Sequence, residues 1–147
     1  MSTEQNDASI RDWFATWGRF VAAVDFAGAR DLFDTDVIGF GTFMDTVTGL
    51  DNLEQRQWRS IWPTIRDFRF NLDSLKSVVS DDRLLAVAAI TWSSTGIGED
   101  GTPFDRPGRA TVGLVRTAPN APWRGMHTHF SLNPGTPQTS YGDRHTV

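Results

Sequence analysis

The closing segment Trp123-Arg124-Gly125-Met126-His127-Thr128-His129-Phe130-Ser131-Leu132-Asn133-Pro134 constrains the chain more than any other. It reads as one long strand that a proline stops. Successive side chains of a strand point to opposite faces. Trp123, His127, His129 and Ser131 therefore share one face, and Arg124, Met126, Thr128, Phe130 and Leu132 the other. A pair of imidazoles on one face of a largely apolar strand raises the question of what they touch.

The segments before it set the rest of the architecture. Ile10, Trp13, Phe14, Trp17, Phe20 or Val21, and Val24 recur at helical steps from Asp7 onward, with Ser9 or Asp7 placed to cap the first turn. Asp25 starts a second helix, Phe26 to Phe33. Val37 to Phe43 reads as a strand whose Gly39 and Gly41 mark a bulge, a bend or a close approach to the backbone. Asp51 with Glu54 resembles a capping box for a third helix, with Leu53, Trp58, Ile61, Trp62 and Ile65 as its buried stripe and Pro63 near its end. Three further strands follow: one in which Phe68, Phe70 and Leu72 alternate with Arg69, Asn71 and Asp73, then Leu84 to Thr95, then Arg109 to Arg116. Helices first and a meander of four long antiparallel strands after them predict an α+β fold in which a curved sheet wraps the helices. Gly96-x-Gly98-x-x-Gly101 has the letters of a dinucleotide fingerprint. Thr102-Pro103 and another strand follow it where that motif needs a helix, so it reads as a hairpin loop.

At 147 residues this is one domain, expected over residues 7–134, with residues 1–6 and 135–147 as flexible ends. Six Trp and ten Phe suit a core or cavity walled by rings. A net charge of −4 with scattered basic residues argues against nucleic-acid binding. With no cysteine there is no disulfide framework and no thiolate ligand or nucleophile. No apolar run approaches the ~20 residues that cross a bilayer, and the polar start MSTEQNDAS is unlike a secretory signal. The expectation is a cytoplasmic protein with no membrane partner.

The order of elements, together with Asp25, Ala29 and Leu32-Phe33, Gly49-Leu50, Gly108-Arg109-Ala110-Thr111 and the closing Trp123…His127-Thr128-His129-Phe130-Ser131, resembles the nuclear transport factor 2-like superfamily. Its members include ketosteroid isomerase, SnoaL-type polyketide cyclases and the association domain of the calcium/calmodulin-dependent kinase, whose end the closing strand also resembles. The resemblance implies a cone with an apolar pocket between helices and sheet, and a homodimer built on the sheet's outer face. It further implies that Met126, Thr128 and Phe130 are the ligand-facing positions of the last strand. Steroid-isomerase chemistry is not implied: the tyrosine position falls on Trp17 and the general-base position on Phe40 or Gly41. Nor does the sequence assign the Asp-Arg-Asp relay of limonene-epoxide hydrolase.

Each candidate site residue carries two readings. His127 and His129 would suit proton transfer near neutral pH, or pack beside Trp123 and hydrogen-bond across the sheet or a dimer interface. As metal ligands they lack a third donor of forced spacing, His145 being the remaining histidine. Arg109 would anchor a carboxylate or enolate if it points into the cavity; at a strand end it would reach solvent or pair with Glu99, Asp100 or Asp105. Trp17, Phe40, Trp58, Trp62 and Trp92 are candidate cavity walls, or plain core. The sequence thus leads to a protein that binds a small apolar or weakly acidic molecule, without cofactor or metal. As an enzyme it would be an isomerase, cyclase, lyase or hydrolase working by proton transfer. The alternative is a non-catalytic dimerisation or ligand-binding module.

Overall fold

The computed structural model describes residues 3–144; the expectations for residues 1–2 and 145–147, His145 among them, lie outside the described residues. Helix α1 runs Thr3–Ala23, so Asp7 and Ser9 lie within it rather than capping it. The Ser9 hydroxyl instead accepts a hydrogen bond from the Trp123 indole at 2.9 Å. The helical stripe is buried as the spacing predicts: Ile10, Trp13, Phe14, Trp17 and Val21 face the core. The helix ends at Val24, which takes a left-handed φ of 55°. Asp25 then caps α2, Phe26–Arg30, by accepting from the Gly28 amide at 2.9 Å. Gly28 is glycine because a Cβ there would meet the Phe20 ring and the Asp25 carboxylate. The second helix is shorter than its pattern, since Phe33 already belongs to strand β1, Phe33–Phe40.

After the two-residue strand β2, Val47–Thr48, a continuous helical run, α3, covers residues 50–64. Its middle, Leu53–Trp58, is a π-helix. The expected capping box does not form. Gly49, at φ 89°, precedes the first turn, and Glu54 turns inward to accept from Arg30 at 3.1 Å and Arg59 at 2.8 Å. Burying this carboxylate is tolerable because both oxygens are paired.

The remaining strands are β3, Arg66–Val79; β4, Leu85–Ile97; β5, Pro103–Asp105; β6, Gly108–Val115; and β7, Arg124–Leu132. The sheet order is β2-β1-β7-β6-β4-β3, with β5 added to β4. The four long strands are antiparallel neighbours, and the glycine loop before β5 is a hairpin turn closed by Gly98 N–H to the Thr102 carbonyl at 2.8 Å. One pairing differs from the expected antiparallel sheet: β1 runs parallel to β7, so the sheet is mixed. Gly39 permits that approach, since a Cβ there would lie 2.6 Å from Thr128 Oγ1.

Register shifts in β1, in β3 and between β6 and β7 bend the sheet around the helices, as bulges do. The result is an α+β cone with α1 and α3 on its concave face. The β6–β7 shift also corrects the face assignment of the last strand. Gly113 pairs with His127 and Leu114 with Gly125, leaving Met126 as the extra residue. Trp123 and Gly125 therefore point inward together with Thr128 and Phe130, while His127 and His129 point outward, and Met126 is 37% exposed. Among the described residues no helix is long and apolar enough to cross a membrane.

Candidate functional site

A cavity of about 40 Å³ lies between the helices and the concave face of the sheet. Trp17 and Val21 reach it from α1, and Gln57, Trp58, Ile61 and Trp62 from α3. The sheet side supplies Phe68, Trp92 and Phe130. The rings support one another: Trp58 stacks on Trp62 at 4.7 Å, and Trp17 meets Phe130 edge-on at 5.5 Å. Gln57 and Trp58 close the π-helical stretch, a distortion that recurs at functional sites. Gly41 makes room for the Gln57 amide, whose Cγ and Cδ would lie 3.2 Å from an added Cβ.

Polar groups in this apolar setting give the cavity its character. Arg106, in the short link between β5 and β6, is only 1% exposed. Its backbone is clamped to Ser94: the Arg106 amide donates to the Ser94 carbonyl at 2.9 Å, and the Ser94 hydroxyl donates to the Arg106 carbonyl at 2.7 Å. Nη2 donates to the Gln138 carbonyl at 3.1 Å and to Thr42 Oγ1 at 3.4 Å. Nε has no partner. Burial without a counter-charge pushes the guanidinium well below its usual value, to about 10, which leaves it charged at neutral pH. Three more lining residues carry buried, unpartnered polar atoms: the indole nitrogens of Trp17 and Trp92, and Gln57 Oε1. Four such atoms on residues lining one cavity are unusual, because buried polar groups in native proteins are nearly always paired.

The segment after β7, expected as a loose tail from residue 135, is hydrogen-bonded alongside this cavity as far as it is described. Gln138 Nε2 donates to Thr42 Oγ1 at 3.0 Å, Ser140 Oγ accepts from the Ile97 amide at 2.9 Å, and the Tyr141 amide donates to the Ile97 carbonyl at 2.8 Å. Arg66 pairs with Asp143 at 2.6 Å.

Of the residues singled out from sequence, Trp17, Trp58, Trp62, Trp92 and Phe130 line the cavity. Thr128 faces inward and is 1% exposed, but packs against Gly39 instead. The others lie on the outer face. Phe40 sits with its ring 5.0 Å from that of His129, and His127 Nδ1 lies 3.1 Å from the Ile38 carbonyl. Arg109 is exposed and donates to Ser131 Oγ at 3.3 Å. It cannot serve as a cavity anchor, because Ala110, Val112 and Leu114 take the inward positions of β6. Met126 is the bulge residue and leaves the ligand-facing set for that reason. Among the described residues no three His, Asp or Glu side chains gather as a metal set.

Arg106, Gln57 and Thr42 were missed. The parity that excludes Arg109 identifies Arg106: counting back from Ala110 through Gly108, the inward phase lands on it.

Residues 10–134 match the SnoaL-like domain family. The chain belongs to that family. Solved structures agree on the fold of this SnoaL-like chain. A nuclear transport factor 2-like superfamily protein from Salmonella enterica serovar Typhimurium LT2 is 19% identical with a TM-score of 0.75, over 92% of this chain and 96% of the other. A ketosteroid isomerase-like protein from Erwinia carotovora atroseptica is 17% identical with a TM-score of 0.72, over 88% and 96%. A nuclear transport factor 2-like protein with a cystatin-like fold from Novosphingobium aromaticivorans is 17% identical with a TM-score of 0.65, over 90% and 85%. No curated protein matches the chain. At these identities what is shared is the fold, which hosts many activities.

Proposed function

We propose that this SnoaL-like chain binds a small organic molecule in its aromatic cavity. The observation that carries this reading is the set of four buried, unpartnered polar atoms on residues lining one ring-walled space. Their desolvation is offset only when something else supplies partners. A ligand-binding role ranks ahead of proton-transfer catalysis by His127 and His129, since both stand on the opposite face of the sheet from the cavity.

A cofactor-free isomerase, cyclase, lyase or hydrolase is the second reading, favoured by the donors themselves. Arg106 and two indole N–H groups could hold charge that develops on an oxygen in a dry site. Among the described residues no carboxylate or imidazole lines the cavity, so such an enzyme would take its base from the substrate or from water. The pairing of two chains through the sheet's outer face belongs to the same proposal, supported by the exposed Ile38, Leu85, Val87 and Met126.

The test is a thermal-shift screen of small organic molecules, followed by indole N–H spectra of the isotopically labelled chain. A ligand that raises Tm and moves the Trp17 and Trp92 indole signals supports the reading. Ligands that stabilise the chain yet leave both indoles unmoved would place binding elsewhere and overturn it.

A further inference from the structure

We infer that the cavity selects a compact monoanion, a carboxylate or an enolate carrying one hydroxyl or amide donor, seated on the Nε edge of Arg106. This rests on the reading that the cavity is a ligand site, and it adds the ligand's chemical class.

Three observations converge on that class. The first is charge. Arg106 is buried, and among the described residues no carboxylate pairs with it. A cation in apolar surroundings repels a cationic ligand and is poorly served by a neutral one. One arginine balances one negative charge, which suits a monoanion better than a phosphate dianion.

The second is the count of donors and acceptors. Arg106 Nε–H and the indole N–H groups of Trp17 and Trp92 are donors with nothing to receive them, whereas Gln57 Oε1 is an acceptor. Three donors against one acceptor call for a ligand head rich in lone pairs with a single proton to give. A carboxylate or enolate with one neighbouring hydroxyl or N–H has that make-up. The indoles cannot change role, because their nitrogen donates only.

The third is space and rigidity. A site for one water needs roughly 10–15 Å³ of such volume, so about 40 Å³ accommodates a few atoms of that size. This fits a planar three-atom head with a short apolar body lying against the rings. Arg106 is held for the task at both ends: Ser94 clamps its backbone, and Thr42 with Gln138 takes up Nη2, which leaves the Nε–H without a partner. Pre-set geometry of this kind lowers the ordering cost of binding.

The experiment titrates the full labelled chain with glycolate, lactate and 3-hydroxypropionate, and with glycolamide, lactamide and 3-hydroxypropionamide. It follows the Trp17 and Trp92 indole signals, assigned through Trp17→Phe and Trp92→Phe. The expected result is that at least one acid moves both indoles and binds roughly tenfold to a hundredfold tighter than its amide, the range for a hydrogen bond to a charged group. Arg106→Gln should bring the acid down to its amide's affinity and leave the amide unchanged. Arg106→Lys keeps the charge without the Nε edge and should fall between, which supplies an answer if the glutamine variant does not fold. An amide that binds in the cavity as tightly as its acid, or an Arg106→Gln chain that holds the acid as well as the wild type, overturns the anion and spares the ligand site. Indoles unmoved by every acid and every amide overturn both.

Discussion

Arg106→Met removes a buried cation while keeping most of the side chain's apolar length, and its effect on stability follows from two opposing quantities. Burial lowers the guanidinium by between two and three pH units, to about 10. At about 1.4 kcal/mol per pH unit, that is roughly 3 kcal/mol against the charged form. On the other side stand the Nη2 hydrogen bonds, 3.1 Å to the Gln138 carbonyl and 3.4 Å to Thr42 Oγ1. Bonds from a charged donor contribute about 1.5–3 kcal/mol each, and the longer one sits at the geometric limit, so the pair offsets roughly 2–3 kcal/mol. The variant should therefore lie within about 1 kcal/mol of the wild type, with Tm moved by less than ~4 °C. An arginine paired with a buried carboxylate would instead cost about 3–5 kcal/mol on removal. Urea unfolding of both chains, with an unchanged slope, measures the difference. The sign of the pH dependence is also fixed. A folded-state value lowered below the unfolded one means that the unfolded chain binds more protons above pH about 10. The wild type should gain on the variant as pH rises above about 10, and the difference should be flat between about pH 6 and 9. A loss above about 3 kcal/mol at neutral pH would refute the reasoning and make Arg106 a structural strut.

Gly108→Ala should destabilise by about 3 kcal/mol or prevent folding, because its Cβ would run into the Ser131 carbonyl and the Trp92 ring; urea midpoints check it. The chain should sediment as a homodimer through the outer sheet face, and only 16.4 kDa species at micromolar concentration would count against this. Δ5-3-ketosteroids should not be isomerised: Trp17 stands in the cavity without a hydroxyl, Phe40 lies on the far face, and Gly41 has no side chain. Turnover near the enzyme median of about 10 per second would contradict it.

The helical stripe of α1 and the strands β4 and β6 were legible because their periods are long and unbroken. What failed to carry over turns on single residues. Parity counting along the last strand placed Trp123 with the histidines, and one inserted residue, Met126, reverses that phase. A period-two pattern holds no mark of such an insertion; only Gly113 across the ladder hints at it. Arg106 went unseen for a different reason: its Pro107 neighbour reads as loop, although its parity with Gly108 and Ala110 was there to be counted. The segment around Ser140 and Tyr141 reads as loose because small polar residues and backbone amides do its bonding, and neither leaves a hydrophobic period.

The parallel pairing of β1 with β7 bears on how the chain is made. Ile38 lies opposite His127, and the Ser9–Trp123 bond joins residues 114 apart. During synthesis the aromatic stripe of α1 can meet Phe33 of β1 and Phe70 of β3 early, but β1 cannot join the rest of the sheet until β7, which lies between β1 and β6, has left the ribosome. Contacts this distant in sequence slow folding and prolong exposure of apolar surface. Closure of this fold therefore waits for β7, and nascent chains halted before Trp123 should be cleaved by protease faster than chains that include it.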